Sequence, residues 1–233
     1  MPVETLIEEL WGDTPARTAI TTTQTYIYQL RKLIGMRCSG SAEEILVTKW
    51  PGYLLRVPEG ALDVENFDQL VARGRTELNE GRPGDAAETL RQALALWTDS
   101  PLANVPQGRI LASYAASLEE QRMRALELRI QADGQLGRHS ELIAELRALV
   151  TEHPFNEWLH GQLIKALHQV GRRSEALRAY QSVRSTLHRE LGLEPSAQLQ
   201  RLQHEVLVNG HRETASAPPR QPAGRGGQRR TIG

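Results

Sequence analysis

The chain has 233 residues, of which 39% are apolar, 24% charged and 5% aromatic, and this suits two helix-rich domains with Leu/Ala cores better than an all-β protein. Lysine plus arginine balance aspartate plus glutamate at 28 each, so no global positive charge advertises nucleic acid and any DNA-binding surface has to be local. Cys38 is the single cysteine, which excludes an internal disulfide and a thiolate zinc knuckle; with no run of about 18 apolar residues and no basic-then-apolar leader, a cytoplasmic protein without membrane contact is expected.

Val3, Leu6, Ile7 and Leu10 recur at helical spacing and Trp11-Gly12 closes the segment, which predicts a short helix over residues 2–10 with a glycine suited to a left-handed cap. Asp13-Thr14-Pro15 reads as a turn. Ile20, Ile27, Leu30 and Ile34 then fall on one face of a helix over 18–34, ended by Gly35. Residues 36–42 read as an unstructured link. After it, Ile45-Leu46-Val47-Thr48 and Tyr53-Leu54-Leu55-Arg56-Val57 flank Lys49-Trp50-Pro51-Gly52, the pattern of a β-hairpin around a Pro-Gly turn. Helix, turn, helix, hairpin is the order of the back half of a winged helix, so residues 1–57 are assigned to a partial winged helix-turn-helix with a β-hairpin wing.

A boundary follows near residues 57–61, and from Asp63, expected as an N-cap, the pattern is wholly helical through Phe67, Leu70, Val71 and Leu78. Gly81-Arg82, Gly137-Arg138 and Gly171-Arg172 each stand between two amphipathic stretches, and Gly137 and Gly171 are 34 residues apart, the tetratricopeptide period. Five residues after each glycine come Ala86, Leu142 and Ala176, and nine after it Leu90, Leu146 and Tyr180, positions where paired helices should touch. The first interval, 56 residues, is too long for one repeat; a loop over 98–108 precedes a long helix over 110–136. Gly192 and Pro195 separate a last helix over 196–208, which should cap the array. Residues 62–208 are therefore assigned to a tetratricopeptide-like helical domain and residues 209–233, rich in Pro, Gly, Ala and Arg, to a disordered tail. Trp97, Phe155, Trp158 and Tyr180 are read as core fillers.

The run from Thr23 to Gly35 (Thr-Gln-Thr-Tyr-Ile-Tyr-Gln-Leu-Arg-Lys-Leu-Ile-Gly), followed by Ile45 to Leu55, resembles the OmpR-type winged helix of the Streptomyces antibiotic regulatory protein family. The stretch from His153-Pro154 to Pro195-Ser196, with Gly171-Arg172, Glu175-Ala176-Leu177, Tyr180 and Leu191-Gly192-Leu193-Glu194-Pro195, resembles that family's bacterial transcriptional activator domain. The likeness covers about residues 2–208, with both modules in the right order. Members carry an N-terminal β-sheet and a first helix ahead of the segment matching residues 2–10, whereas this chain begins at Met1. A winged helix lacking part of its core, or a start lying upstream, is the expectation, and Pro218-Pro219-Arg220-Gln221-Pro222 looks like a linker to a further domain in larger relatives. The resemblance implies a transcriptional activator of a secondary-metabolite gene cluster that binds promoter repeats in double-stranded DNA, self-associates as a homodimer and signals to RNA polymerase.

In a winged helix the second helix of the pair enters the major groove, whose edges carry the base code. With Ile20, Ile27, Leu30 and Ile34 buried, the helical step leaves Thr21, Gln24, Thr25, Tyr28, Gln29 and Lys32 towards solvent, with Gln24 and Thr25 placed to read bases. Between residues 14 and 42 stand Arg17, Arg31, Lys32 and Arg37 with no acid, able to neutralise phosphates, and Lys49 and Trp50 complete the footprint at the hairpin tip. His153, Glu157 and His160 invite a metal reading, but Pro154 displaces His153 from the helical face and no thiol joins them. Phosphate loop, nucleophile elbow and paired apolar-set carboxylates are all missing, so neither an enzyme nor a cofactor is expected. Two readings of different class stand: a DNA-binding activator, or a helical-repeat interaction scaffold without autonomous DNA binding.

Overall fold

The computed structural model describes the backbone of residues 1–37 and 41–215, and side chains within that span up to residue 208. The chain is mainly α, with one antiparallel hairpin among the described residues, and it divides into two compact units, Met1–Gly137 and Arg138–Gly233.

The first unit opens with α1 (Val3–Trp11), α2 (Ala19–Arg37), a short α3 (Ala42–Ile45), β1 (Leu46–Lys49) and β2 (Gly52–Leu55). Helix α1 closes on Gly12 at φ 60, whose N–H donates to the Glu8 carbonyl at 2.8 Å. The hairpin pairs Lys49 with Gly52 and Leu46 with Leu55, leaving Trp50-Pro51 as its two-residue tip, with a cis peptide bond between them. The chain start lies along the second strand: Tyr53 N–H donates to the Met1 carbonyl at 3.0 Å and Val3 N–H to the Pro51 carbonyl at 3.1 Å. Only glycine fits at position 52, because a Cβ there would sit 1.9 Å from the Met1 carbonyl oxygen.

Three expectations for this region need correction. Helix α2 does not end at Gly35 but continues to Arg37, since one glycine costs a helix only about 1 kcal/mol. The link over 36–42 contains the start of α3, while residues 38–40 lie outside the described span. Burial on α2 is also narrower than expected: Ala19, Thr23 and Ile27 are buried, whereas Ile20 is 59% and Leu30 48% exposed and Ile34 half-buried. The expected residues and the buried ones share one face at the helical step, but a nine-residue α1, about 14 Å long, cannot cover the whole of a 19-residue partner.

The same unit continues with α4 (Asp63–Asn79), α5 (Pro83–Ala95) and α6 (Arg109–Gln135). Helix α5 packs on both α4 and α6, around Phe67, Leu78, Ala86, Ala87, Leu90, Ala93, Ala125 and Ala132. Asp63 is the first residue of α4 rather than its N-cap, which is Leu62. The second unit holds α7 (His139–Glu152), α8 (Glu157–Gln169), α9 (Arg173–Leu191) and α10 (Ala197–Ala215); α8 packs against α7, α9 and α10. Its core comes from Leu142, Leu146, Leu159, Ile164, Leu167, Ala176, Tyr180, Val183 and Leu187.

The repeat glycines do what their spacing suggested. Gly81, Gly137 and Gly171 have φ of 73, 74 and 77, with Gly81 and Gly171 each turning the chain between two helices of one unit and Gly137 following the end of α6. Ala86, Leu90, Leu142, Leu146, Ala176 and Tyr180 are all buried. Among the aromatics read as core, Tyr180 is buried and Trp97 and Trp158 are half-buried, but Phe155 is 47% exposed. Helix α10 runs past its expected end at Val208 into the segment assigned to the tail; residues from 216 on lie outside the described span.

Candidate nucleic-acid interface

Helix α2 presents a polar row directly opposite its buried one. Thr21, Gln24, Thr25, Tyr28, Gln29 and Lys32 are all exposed, as the sequence predicts, because the helical step places them away from Ala19, Thr23 and Ile27 whichever apolar neighbours are covered. Thr25 Oγ1 donates to the Thr21 carbonyl at 2.9 Å, so its hydroxyl oxygen is left as an acceptor. Thr23 makes the equivalent bond to the Ala19 carbonyl at 2.8 Å, and its methyl-bearing side chain is thereby buried without an orphan hydroxyl.

Arg17, Lys32, Arg37 and Lys49 are exposed. Arg31 has a different position from the one charge alone suggests. Its Nε and Nη2 donate to the Leu46 carbonyl at 3.0 and 2.7 Å, and Nη2 also reaches Thr48 Oγ1 at 2.8 Å. The guanidinium therefore fastens α2 to the first strand of the hairpin. Glu43 lies nearby on α3; the backbone N–H at its own position and the Ser41 hydroxyl hold its carboxyl below the usual range, and Arg31 adds to this. Trp50, at the hairpin tip, is 92% exposed, an unusual cost for an indole that packs against nothing.

A contact that no sequence pattern signals ties this region to the helices beyond it. The Glu9 carboxylate of α1 accepts from the Ile110 and Leu111 N–H groups at 2.8 and 3.0 Å, capping α6, while Glu8 pairs with Arg109 at 3.0 Å. The partners are 101 and 102 positions apart, a distance at which no spacing rule operates.

The metal reading finds these groups otherwise engaged. Glu157 accepts from the Ser196 N–H at 2.7 Å, and the buried His160 ring places Nε2 3.1 Å from the Pro154 carbonyl. Among the described residues no helix is long and apolar enough to cross a membrane.

A helix-turn-helix unit with a hairpin wing, followed by helical pairs turned on glycines, defines a class of bacterial transcription regulator. Residues 62–207 match the family of the bacterial transcriptional activator domain. The chain is 43% identical over 211 residues to the regulatory protein DnrI of Streptomyces peucetius, covering 89% of this chain and 78% of that one. It is 36% identical to the transcriptional regulator RedD of Streptomyces coelicolor, covering 87% of this chain and 58% of the relative. The solved structure of Mycobacterium tuberculosis EmbR in complex with a low-affinity phosphopeptide superposes with a TM-score of 0.85 at 32% identity, over 90% of this chain and 55% of that one. The chain belongs to the Streptomyces antibiotic regulatory protein family of transcriptional activators, whose members are regulators rather than enzymes, bind DNA and act on RNA polymerase.

Proposed function

We propose that residues 1–57 bind duplex DNA with α2 in the major groove, and that residues 62–208 form the second domain, through which the protein pairs with a second copy and reaches RNA polymerase. In this reading Gln24, Thr25 and Thr21 contact base edges. Tyr28, Gln29, Arg17 and Lys32 hold the groove walls, and Lys49 and Trp50 rest on the flanking backbone. Arg31 is a positioning residue that sets the wing against the helix. The target is the promoter repeats of a secondary-metabolite gene cluster, and the protein works in the cytoplasm. The observation that carries this reading is the exposed polar row of α2, which runs from Thr21 to Lys32 without an acidic side chain.

Binding to duplexes from upstream of neighbouring genes, titrated against salt, tests it. Lys32→Ala is expected to weaken all sequences evenly and to lower the salt slope by about one. Gln24→Ala is expected to lose about 1–3 kcal/mol of discrimination at a single base pair. Binding without sequence preference, or none, would favour the other reading, a helical interaction scaffold. That reading draws support from Leu30, Leu33 and Met36, which stand 48%, 55% and 68% exposed on α2.

A further inference from the structure

We propose that a cleft in the first unit, walled by Phe67, Leu96, Trp97 and Leu102, binds a small molecule with a compact apolar body and a protonated amine. The cleft encloses about 390 Å³ between the start of α4, the end of α5 and the loop that leads to α6. That volume falls within the range of small-molecule sites, roughly 300–1,000 Å³.

Its chemistry is one-sided. The ionisable residues lining it are Asp63 and Asp99, and no lysine, arginine or histidine accompanies them. Each uses Oδ1 to accept from the backbone N–H of the next residue, at 2.9 and 2.8 Å, and Oδ2 of each has no protein partner among the described residues. The aromatic wall is rigid: Phe67 is buried and meets Trp97 edge-on, with ring centroids 5.4 Å apart. The Trp97 ring already attracts a cation, since the Arg122 guanidinium lies 5.3 Å from its centroid. Arg122 is itself matched by Glu119 at 3.7 Å, and the two aspartates, both exposed, leave the lining of the cleft negative.

The opposite wall is built rather than incidental. Leu102 holds a φ of 58, which a branched side chain adopts only when its surroundings impose it, and the Gln107 amide donates to the Pro101 and Leu102 carbonyls at 3.3 and 3.4 Å. The loop then runs into Gly108 and the α6 terminus capped by Glu9, so the cleft adjoins the tie between the winged helix and the helices beyond it.

Three probes that share one apolar body test the site on the full chain by calorimetry: phenylbutylamine, phenylbutanol and phenylbutyrate. The amine is expected to bind about tenfold more tightly than the alcohol, with the carboxylate weakest. In Asp63→Asn with Asp99→Asn the amine and the alcohol should bind alike. Ala103→Trp, a change on the exposed side of the lining loop, should block all three. No binding, equal binding of the three probes, an amine preference that survives the double substitution, or binding untouched by Ala103→Trp would each overturn the proposal.

Discussion

Arg31 joins two parts of the DNA-facing region with one guanidinium, and its removal would be felt in stability before it is felt in DNA binding. Arg31→Ala leaves the Leu46 carbonyl without its side-chain donors and is expected to cost about 1–3 kcal/mol in urea denaturation. Arg31→Lys should recover only part of this, because a single ammonium cannot reproduce the fork that reaches Leu46 and Thr48 together. Lys32→Ala, one position on and exposed, should stay within about 0.5 kcal/mol of the parent. From sequence, Arg31 and Lys32 look alike, two cations in an acid-free segment. What separates them is a carbonyl 15 positions further along the chain, and composition does not record where a carbonyl points. The polar row of α2 was legible because it needs only the helical step. Its buried row was legible only in part, at Ile27, because how far burial extends depends on what lies on the other side.

At the scale of elements, the turns were legible and the ends of helices were not. A glycine-arginine pair between amphipathic stretches marks a sharp reversal, and the left-handed φ of 77 at Gly171 gives the physical reason a glycine stands there. Gly171→Ala is therefore expected to destabilise by about 1–2 kcal/mol. Gly84→Ala, in the first turn of α5 with open space around the added methyl, should instead stabilise by about 0.4–1 kcal/mol, and thermal melts of the two variants would show opposite shifts. Helix ends respond to smaller differences. The extension of α2 through Gly35 involves an energy of about 1 kcal/mol, small enough for local contacts to decide. The short α3 escaped notice because four residues show no periodicity.

For the molecule as a whole, the buried His160 predicts how stability changes with acidity. It is 8% exposed, and burial holds its pKa below the ordinary 6.5, although the Pro154 carbonyl and Glu157 draw it back part of the way. The folded state then binds fewer protons than the unfolded one, so the contribution is fully present above the unfolded value and is lost as pH falls below it. Melting temperature should drop between about pH 7.5 and about pH 5.5, and the drop should be shallower in His160→Gln. Glu175, held low by Arg172 and Arg147, acts in a separate window, with its contribution lost only on acidification below the usual carboxylate value of 4.5. The sequence by itself determined the kinds of element, their order, the glycine turns and the exposed row of α2, because helical periodicity, turn chemistry and capping act over a few residues. Only the tertiary structure decided which neighbours cover α2, that Arg31 serves the wing, that Glu9 caps a helix 101 positions away, and that Trp97, packed at the edge of the core, also borders a cleft. Each of these depends on groups brought together from distant parts of the chain, where local pattern carries no information about who the neighbour will be.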